Sequence, residues 1–382
     1  MNASEEAPGA SNRVVEAQEI SALLDVILES GYRVLGPTVR DGAIVYDEIA
    51  SAARLPAGVG QEQTNGRYRL RKRGDGALFG YTVGPHAWKK FLFPASLRFF
   101  GVTRQKKTLH VESGTADARP DAFVGVRPCD LAAIARQDRV FLGGTYSDPA
   151  YRARREKALI VAVQCGEAEG TCFCSSLGTG PRAASGFDLA LTERIDGERH
   201  EFLVEVGTDR GAKLLQRINS RPAKPEDLEA ARAATRRAEA GMGRTLDTAG
   251  LKDLLTASND SPRWEQIAER CLSCANCTMV CPTCFCATVE DASDLAGASA
   301  ERWRRWDSCH TLDFSYIHGG SIRRSASARY RQWMTHKLAT WVDQFGETGC
   351  VGCGRCITWC PVGIDLTEEA RVLQEARPAP AA

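Results

Sequence analysis

Hydrophobic positions in the first hundred residues change their spacing from a helical period to an alternating one. Apolar residues at positions 20, 23, 24 and 27 fall on one face of a helix, and Gly31 stands where that helix would end. Beyond it, Asp41-Gly42 and Asp75-Gly76 each separate two strand-like stretches, a pattern typical of β-hairpins. We therefore expect two hairpins, formed by YRVLGPTV with AIVYDEI and by GRYRLRKR with ALFGYTV.

The second half of the chain has a predominantly helical period. Pro225 and Gly241 stand at the two ends of a stretch rich in Ala, Glu and Arg, and residues 330–345 carry an apolar stripe at helical spacing that ends at Gly346. Combined with the strand-like first half, this predicts an α+β protein. Its expected parts are a mixed α/β domain at 14–220, a helical connector at 221–262, a mainly α-helical domain at 263–370, and disordered tails at 1–13 and 371–382.

Two cysteine runs give the helical domain its chemistry. CLSCANCTMVCP begins at Cys271 and CVGCGRCITWCP begins at Cys350, and both have the spacing C-x2-C-x2-C-x3-C-P of bacterial ferredoxins that bind 4Fe-4S clusters. In two-cluster ferredoxins the fourth cysteine of each run binds the other cluster. On that pattern the ligands of the first cluster are Cys271, Cys274, Cys277 and Cys360, and those of the second are Cys350, Cys353, Cys356 and Cys281.

Zinc and disulfides are the alternatives for these runs. Paired C-x2-C motifs can bind tetrahedral zinc, but here a third cysteine follows at once and a Cys-Pro closes each run. A cluster of thiols this dense, in a chain without a secretory leader, favours a reducing compartment over disulfides. We therefore expect a two-cluster ferredoxin-like domain. Cys284, Cys286 and Cys309 remain outside these sets, and we expect them near a cluster without binding it.

Four further cysteines follow the apolar strands of the first half. The apolar runs 123–126 and 159–163 lead into Cys129 and Cys165, and parallel neighbouring strands would place both thiols at the ligand-binding edge of a sheet. The CFC motif adds two more thiols nearby. We interpret this set as the ligands of a third iron-sulfur cluster, with buried apolar thiols and structural zinc as alternatives: Cys129, Cys165, Cys172 and Cys174.

Composition limits the partners. The 382 residues include fifteen cysteines and carry a net charge of +1, which lacks the basic excess of a nucleic-acid-binding protein. No run of 18 apolar residues occurs, so we expect a cytoplasmic protein without direct membrane insertion. We interpret Lys89 and Lys90 as a solvated basic rim, with a site for an anion or a partner as the alternative. A solvated face and a docking site for an acidic partner are the two interpretations of a second basic group: Arg302, Arg304, Arg305, Arg323 and Arg324.

Several segments together resemble a known family. CLSCANCTMVCPTCFC, RWRRWDSC, HKLATWVDQFG and CVGCGRCITWCPVGID are similar to the iron-sulfur β subunit of soluble heterotetrameric nickel-iron hydrogenases, of the sulfhydrogenase or NADP-reducing type. The N-terminal GPHAWKKFLFP, GVRPCD and CGEAEGTCFC fit it as well. A related branch is the iron-sulfur subunit of anaerobic sulfite reductase, which shares the CPTC extension and the VGCGRC run.

The resemblance implies an electron-transfer subunit that is not catalytic alone. Its expected partners are a flavin subunit that binds NAD(P) and the small and large subunits of a nickel-iron hydrogenase. The chain has no G-x-G-x-x-G motif after a strand and no P-loop, so we do not expect it to bind a nucleotide itself. The competing functions are electron transfer to a siroheme sulfite reductase and redox sensing without catalysis.

Overall fold

The computed structural model describes residues 12–114 and 119–376. The strands in this part of the chain are β1 (Arg13–Glu16), β2 (Arg33–Arg40), β3 (Ala43–Glu48), β4 (Val59–Thr64), β5 (Arg67–Lys72), β6 (Ser96–Gln105), β7 (Thr108–Ser113), β8 (Asp121–Val126), β9 (Leu159–Val163), β10 (Leu189–Asp196), β11 (Arg199–Val206), β12 (Arg221–Pro222), β13 (Ala287–Ser293), β14 (Ser299–Trp306), β15 (Tyr316–Ile317) and β16 (Gly320–Ser321).

Helices separate the strands and dominate the last third of the described chain. They are α1 (Glu19–Glu29), α2 (Lys89–Leu92), α3 (Pro128–Leu142), α4 (Pro149–Lys157), α5 (Asp209–Leu215), α6 (Pro225–Ala240), α7 (Leu251–Ala257), α8 (Arg263–Ala268), α9 (Asn276–Met279), α10 (Ala326–Thr335), α11 (Trp341–Phe345), α12 (Arg355–Thr358) and α13 (Leu366–Glu375). The mixture confirms the predicted α+β class.

An eight-stranded sheet forms the N-terminal half, in the order β12-β1-β11-β10-β9-β8-β2-β3. Its four middle strands, β10, β9, β8 and β2, run parallel, and both β8 and β9 are buried along their whole length. Helices cover both faces of such a sheet, which is why these two strands read as unbroken apolar runs. The predicted parallel pairing of the two apolar runs is confirmed.

Alternate side chains of the sheet enter two different cores. Val124 and Val161 face a core with α1, whose apolar stripe the helical period correctly predicted. Phe123 and Ile160 face the opposite core, which contains Trp88 and the apolar side of α3. This alternation follows from the two-residue repeat of a strand.

A second sheet joins the two halves of the chain. β6 and β7 come from the N-terminal half, β13 and β14 from the insertion between the cysteine runs, and β6 pairs with β14. Arg304 on β14 is buried and forms an ion pair with Asp148, so the prediction of a solvated arginine is wrong for this residue. Arg302 and Arg305 are exposed and pair within the insertion.

The C-terminal helices surround their own core. Trp264, Tyr330, Met334 and Leu338 pack there with residues from α7, α12 and α13. The predicted long helix is present as α10 and α11, joined by a π-helical turn, His336–Thr340, and it ends at Gly346 as predicted.

The second predicted hairpin is wrong in its pairing. β5 pairs with β4 through the turn at Asn65-Gly66, and residues 77–83 form no strand. Their backbone is instead bound by a distant side chain, because the N–H groups of Leu78 and Phe79 donate to the Glu193 carboxylate at 2.6 and 2.8 Å. The first hairpin, β2 with β3, is confirmed.

Both predicted tails are shorter than expected. Arg13 begins β1, and α13 continues to Glu375 because Ala370 and Leu373 are buried in the C-terminal core. The remaining tail residues, 1–11 and 377–382, lie outside the described part of the chain.

Candidate functional site

The first cysteine run folds into a tight loop around a cavity. Ser273 and Ala275 have positive φ angles of 50° and 64°, which turn the chain between α8 and α9. The cavity is lined by the four thiols predicted for the first cluster and by one more from the second run: Cys271, Cys274, Cys277, Cys360 and Cys356.

Unpaired polar groups line the same cavity. Both ring nitrogens of His310, the hydroxyl of Tyr330 and Nε1 of Trp333 are buried and find no hydrogen-bond partner among the described residues. A buried polar group without a partner costs about 1–3 kcal/mol, so this cavity suits a group that accepts hydrogen bonds. The sulfur atoms of an iron-sulfur cluster are such acceptors. The residues present therefore fit a cluster.

One edge of this first cavity faces solvent. Cys274 is exposed, and its neighbours along the rim, Leu272 and Val362, are 64% and 36% exposed. The cavity can therefore be approached from outside the molecule at its apolar rim.

The other cysteines of the two runs lie together deeper inside. Cys281, Cys350 and Cys353 are buried. Burial, and then the charges of these three thiols, raise the pKa of Cys356 well above its usual range. Charges act this strongly only over short distances. Cys356 therefore lies near the three buried thiols.

Hydrogen bonds reach several of these sulfur atoms. The Gly352 N–H donates to Cys350 Sγ at 3.4 Å, and the Ile364 N–H donates to Cys360 Sγ at 3.3 Å. Lys337 Nζ donates to Cys281 Sγ at 3.2 Å. Hydrogen bonds to sulfur are one of the ways in which a protein sets the reduction potential of an iron-sulfur cluster.

A second cavity lies at the carboxyl edge of the main sheet. Cys129 is the second residue of α3, just beyond β8, and Cys165 follows β9, as the strand pattern predicted. Burial raises the pKa of Cys172 to about 12. Nε of Arg127 is buried in the same cavity without a partner among the described residues. The lining thiols are the predicted third set and one from the second run: Cys129, Cys165, Cys172, Cys174 and Cys353.

The second cysteine run lies flush against the N-terminal half. A Cβ added to Gly352 would stand 2.6 Å from Cys174 Cα, and one added to Gly354 would stand 2.3 Å from the Thr171 carbonyl oxygen. The Phe173 N–H donates to the Gly352 carbonyl at 2.9 Å. Glycine at these positions lets the two backbones approach closely enough to bring Cys353 into the second cavity.

The leftover cysteines form a third group. The nearby Cys284 thiol lowers the pKa of Cys281, and the nearby Cys309 thiol lowers the pKa of Cys286. Lys89 lies beside them: it is 4% exposed and donates to the carbonyl oxygens of Thr278 at 3.1 Å and Cys284 at 3.2 Å. The prediction of a solvated rim is therefore wrong for Lys89, because its ammonium is buried among main-chain acceptors.

Two features are absent from the described residues. No group of three or more His, Cys, Asp or Glu side chains within residues 12–114 and 119–376 is spaced to hold a single metal ion. In the same ranges, no helix has the length and apolar character needed to cross a bilayer.

This combination of fold and thiol sites defines an iron-sulfur protein of the two-cluster ferredoxin class. Residues 270–364 match the family model described as a 4Fe-4S dicluster domain. The chain is also 36% identical over 256 residues to sulfhydrogenase 2 subunit beta of Pyrococcus furiosus, covering 66% of this chain and 73% of that protein. No solved structure matches the chain. The chain belongs to the family of iron-sulfur β subunits of sulfhydrogenases.

Sequence reasoning missed the polar residues around the thiols. His310 stands in the WDSCH segment, yet nothing in its neighbours marked it as lining a cavity. Lys337 carried a detectable signal: it falls three residues after Met334 and four before Trp341, on the side of the helix that is apolar. A lysine at such a position must be buried or must turn away.

Proposed function

We propose that this chain holds three 4Fe-4S clusters and carries single electrons within a nickel-iron hydrogenase complex. The first cluster would be held by Cys271, Cys274, Cys277 and Cys360, the second by Cys281, Cys350, Cys353 and Cys356, and the third by Cys129, Cys165, Cys172 and Cys174.

The observation that carries this proposal is the position of the second run. Cys353 lines the cavity of the third set, and Cys356 lines the cavity of the first. The second set of thiols therefore lies between the other two. Electron transfer through a protein requires redox sites that neighbour one another, and this row of sites meets that requirement.

The chain's own residues supply binding, shielding and hydrogen bonds. A bound 4Fe-4S cluster accepts or releases one electron at a potential set by its surroundings. Burial of Cys281, Cys350 and Cys353 keeps water from the middle site. The exposed rim at Cys274 leaves the first site accessible to a partner. The middle of the row is thus insulated while one end is open.

The partners follow from the family. We infer a flavin subunit that binds NAD(P) on one side and the small subunit of a nickel-iron hydrogenase, with its large subunit, on the other. A flavin exchanges a hydride with the nucleotide and passes its electrons on singly, and a row of one-electron sites suits that exchange. The relative is named as a subunit of a sulfhydrogenase, which supports a complex of this kind.

Anaerobic affinity purification of the tagged chain from its host tests the proposal. We expect nickel and flavin to copurify, mass spectrometry to identify hydrogenase subunits, and hydrogen to reduce a nicotinamide nucleotide. Siroheme without nickel would move the chain to sulfite reduction. A chain that purifies without redox partners would support redox sensing and contradict the relay.

A variant of the purified complex separates relay from assembly. Cys353→Ala removes a thiol that borders two of the sites, so we expect it to abolish hydrogen-dependent nucleotide reduction while the subunits still copurify. Cys286→Ser, outside the three proposed sets, is the matched control and should keep the wild-type rate. An unchanged rate in Cys353→Ala would contradict the relay.

A further inference from the structure

Two lysine ammonium groups are buried beside the thiols of the second site. Lys337 is 6% exposed, and its Nζ donates to Cys281 Sγ at 3.2 Å and to Thr283 Oγ1 at 3.0 Å. Lys89, also buried, donates only to main-chain carbonyl groups in the described chain and lies 4.2 Å from the centre of the Trp306 ring. Within the described residues, neither ammonium has a carboxylate in an ion pair.

Charge balance requires an anion at this place. A cation buried without a counter-charge costs several kcal/mol, and Lys337 has only a hydroxyl and a sulfur atom as acceptors in the described chain. A neutral thiol would offset little of that cost. A thiolate that binds a negatively charged cluster would offset most of it. A charged Lys337 at this position is therefore stabilised by an anionic group at Cys281.

The backbone is shaped to bring Lys337 inward. His336–Thr340 forms a π-helical turn, and the carbonyl of Lys337 accepts the Gly349 N–H at 2.8 Å. Such turns are uncommon and frequently mark functional sites. The bond to Gly349 ties the turn to the residue just before Cys350. The lysine and the second cysteine run are thus held in one fixed relation.

We propose that Lys337 is a positioning residue that raises the reduction potential of the second cluster through its hydrogen bond to Cys281 Sγ. This rests on the proposed function, since it requires Cys281 to bind that cluster. Reduction adds one negative charge to a site, and a nearby buried cation stabilises that added charge. Among the described residues, the unpaired side-chain donors in the first cavity are neutral in comparison: His310, Tyr330 and Trp333.

A redox titration of the full chain, purified anaerobically with its clusters and followed by electron paramagnetic resonance, tests this. Cys281→Ser first identifies the signal of the second cluster. Lys337→Met keeps most of the side-chain length and removes the charge. In this variant we expect the equilibrium constant for reduction of the second cluster to be at least tenfold lower, about 59 mV for a one-electron couple. Lys337→Arg should stay within threefold of the wild type.

Two other lysines serve as controls. Lys90→Met changes a lysine that donates to the Tyr46 carbonyl at 3.1 Å, away from the thiols, and should leave the signal unchanged. Lys89→Met removes a buried cation that bonds only carbonyl groups in the described chain, so its effect should be smaller than that of Lys337→Met. Equal shifts in Lys89→Met and Lys337→Met would overturn the role of the hydrogen bond.

The same measurements separate a failure of the ligand assignment from a failure of the role proposed for Lys337. If Cys281→Ser changes no signal relative to the wild type, the ligand assignment is overturned, and the proposed function with it. If the wild type shows all its clusters and Lys337→Met titrates like the wild type, only the role of Lys337 is overturned.

Discussion

At the scale of single residues, the ion pair of Asp130 and Arg355 connects two of the thiol sites. Arg355 stands between Cys353 and Cys356 in sequence, and Asp130 follows Cys129. The side chains are 1% and 0% exposed and share two hydrogen bonds of 2.9 and 2.7 Å. Because both charges are buried, each depends on the other for its stability.

Removing one partner of this pair should destabilise the fold strongly. Arg355→Met leaves the Asp130 carboxylate buried without its counter-charge, and we expect the free energy of unfolding to fall by about 3–5 kcal/mol. Denaturant titration measures this free energy of unfolding. Arg236→Met, which breaks the exposed pair with Glu229, is the control and should lower the free energy of unfolding far less. Equal costs would mean that burial of the first pair is unimportant.

The His336 imidazole makes stability depend on pH. Burial, and then the charges of Lys337 and Arg323, lower its pKa from 6.5 to about 4. The unfolded chain binds this proton more readily, so the free energy of unfolding should fall as the pH drops from about 6.5 to about 4. In His336→Phe the free energy of unfolding, measured by anaerobic denaturation, should fall less steeply over that interval. Parallel pH profiles for the two proteins would refute this assignment.

At the scale of elements, the hairpin of β4 and β5 supports the end of the second cysteine run. Its turn residue Gly66 has a φ of +67°, and a Cβ there would stand 2.8 Å from the Cys360 carbonyl oxygen. The Gly66 N–H also donates to the Ile357 carbonyl at 3.1 Å. The turn thus touches the backbone of a proposed cluster ligand.

Alanine at this turn should affect both stability and iron content. Gly66→Ala meets the cost of the left-handed backbone, about 1–2 kcal/mol, and also pushes on Cys360. Gly42→Ala is matched, because Gly42 has a φ of +73° and open space around it. We expect both variants to lose stability, and only Gly66→Ala to lose iron, as measured after anaerobic purification. Full iron content in Gly66→Ala would show that the contact does not matter for binding.

Local pattern predicted the elements well where packing agreed with it. The apolar runs of β8 and β9, the stripe of α1 and the connector helix α6 all lie where the sequence indicated. Residues 77–83 alternate like a strand, yet the Glu193 carboxylate binds their backbone instead. That competing bond comes from more than a hundred positions away, and no local spacing can reveal it.

At the scale of the whole molecule, the sequence predicted which thiols belong together better than what surrounds them. Cysteine spacing predicted the two ferredoxin-type sets and the strand ends predicted the third, and the thiols of the first and third sets each line one cavity. The contacts between sets, such as Gly352 against Cys174 and β6 against β14, depend on how the two halves pack. His310 has no spacing rule and could be recognised only from its burial, whereas Lys337 was marked by its place on the apolar side of its helix.

Iron content tests the number of sites. Three 4Fe-4S clusters give about twelve irons per chain. Cys129→Ser combined with Cys172→Ser should lower this to about eight, because the third set loses two ligands. Cys286→Ser combined with Cys309→Ser alters an equal number of thiols outside the sets and should leave the content unchanged. Loss of iron in this second pair would assign those thiols to a cluster.

The close fit of the second cysteine run onto residues 171–174 has a consequence for how the protein is made. All eight strands of the main sheet lie before residue 223. The N-terminal half of the chain can therefore leave the ribosome well before position 350 emerges. Until then the second cavity lacks the wall that Gly352 and Cys353 provide, and its thiols are exposed on that side. If these thiols hold the proposed third cluster, iron and sulfide would reach them during synthesis, and arrival of the last segment would then close the entrance.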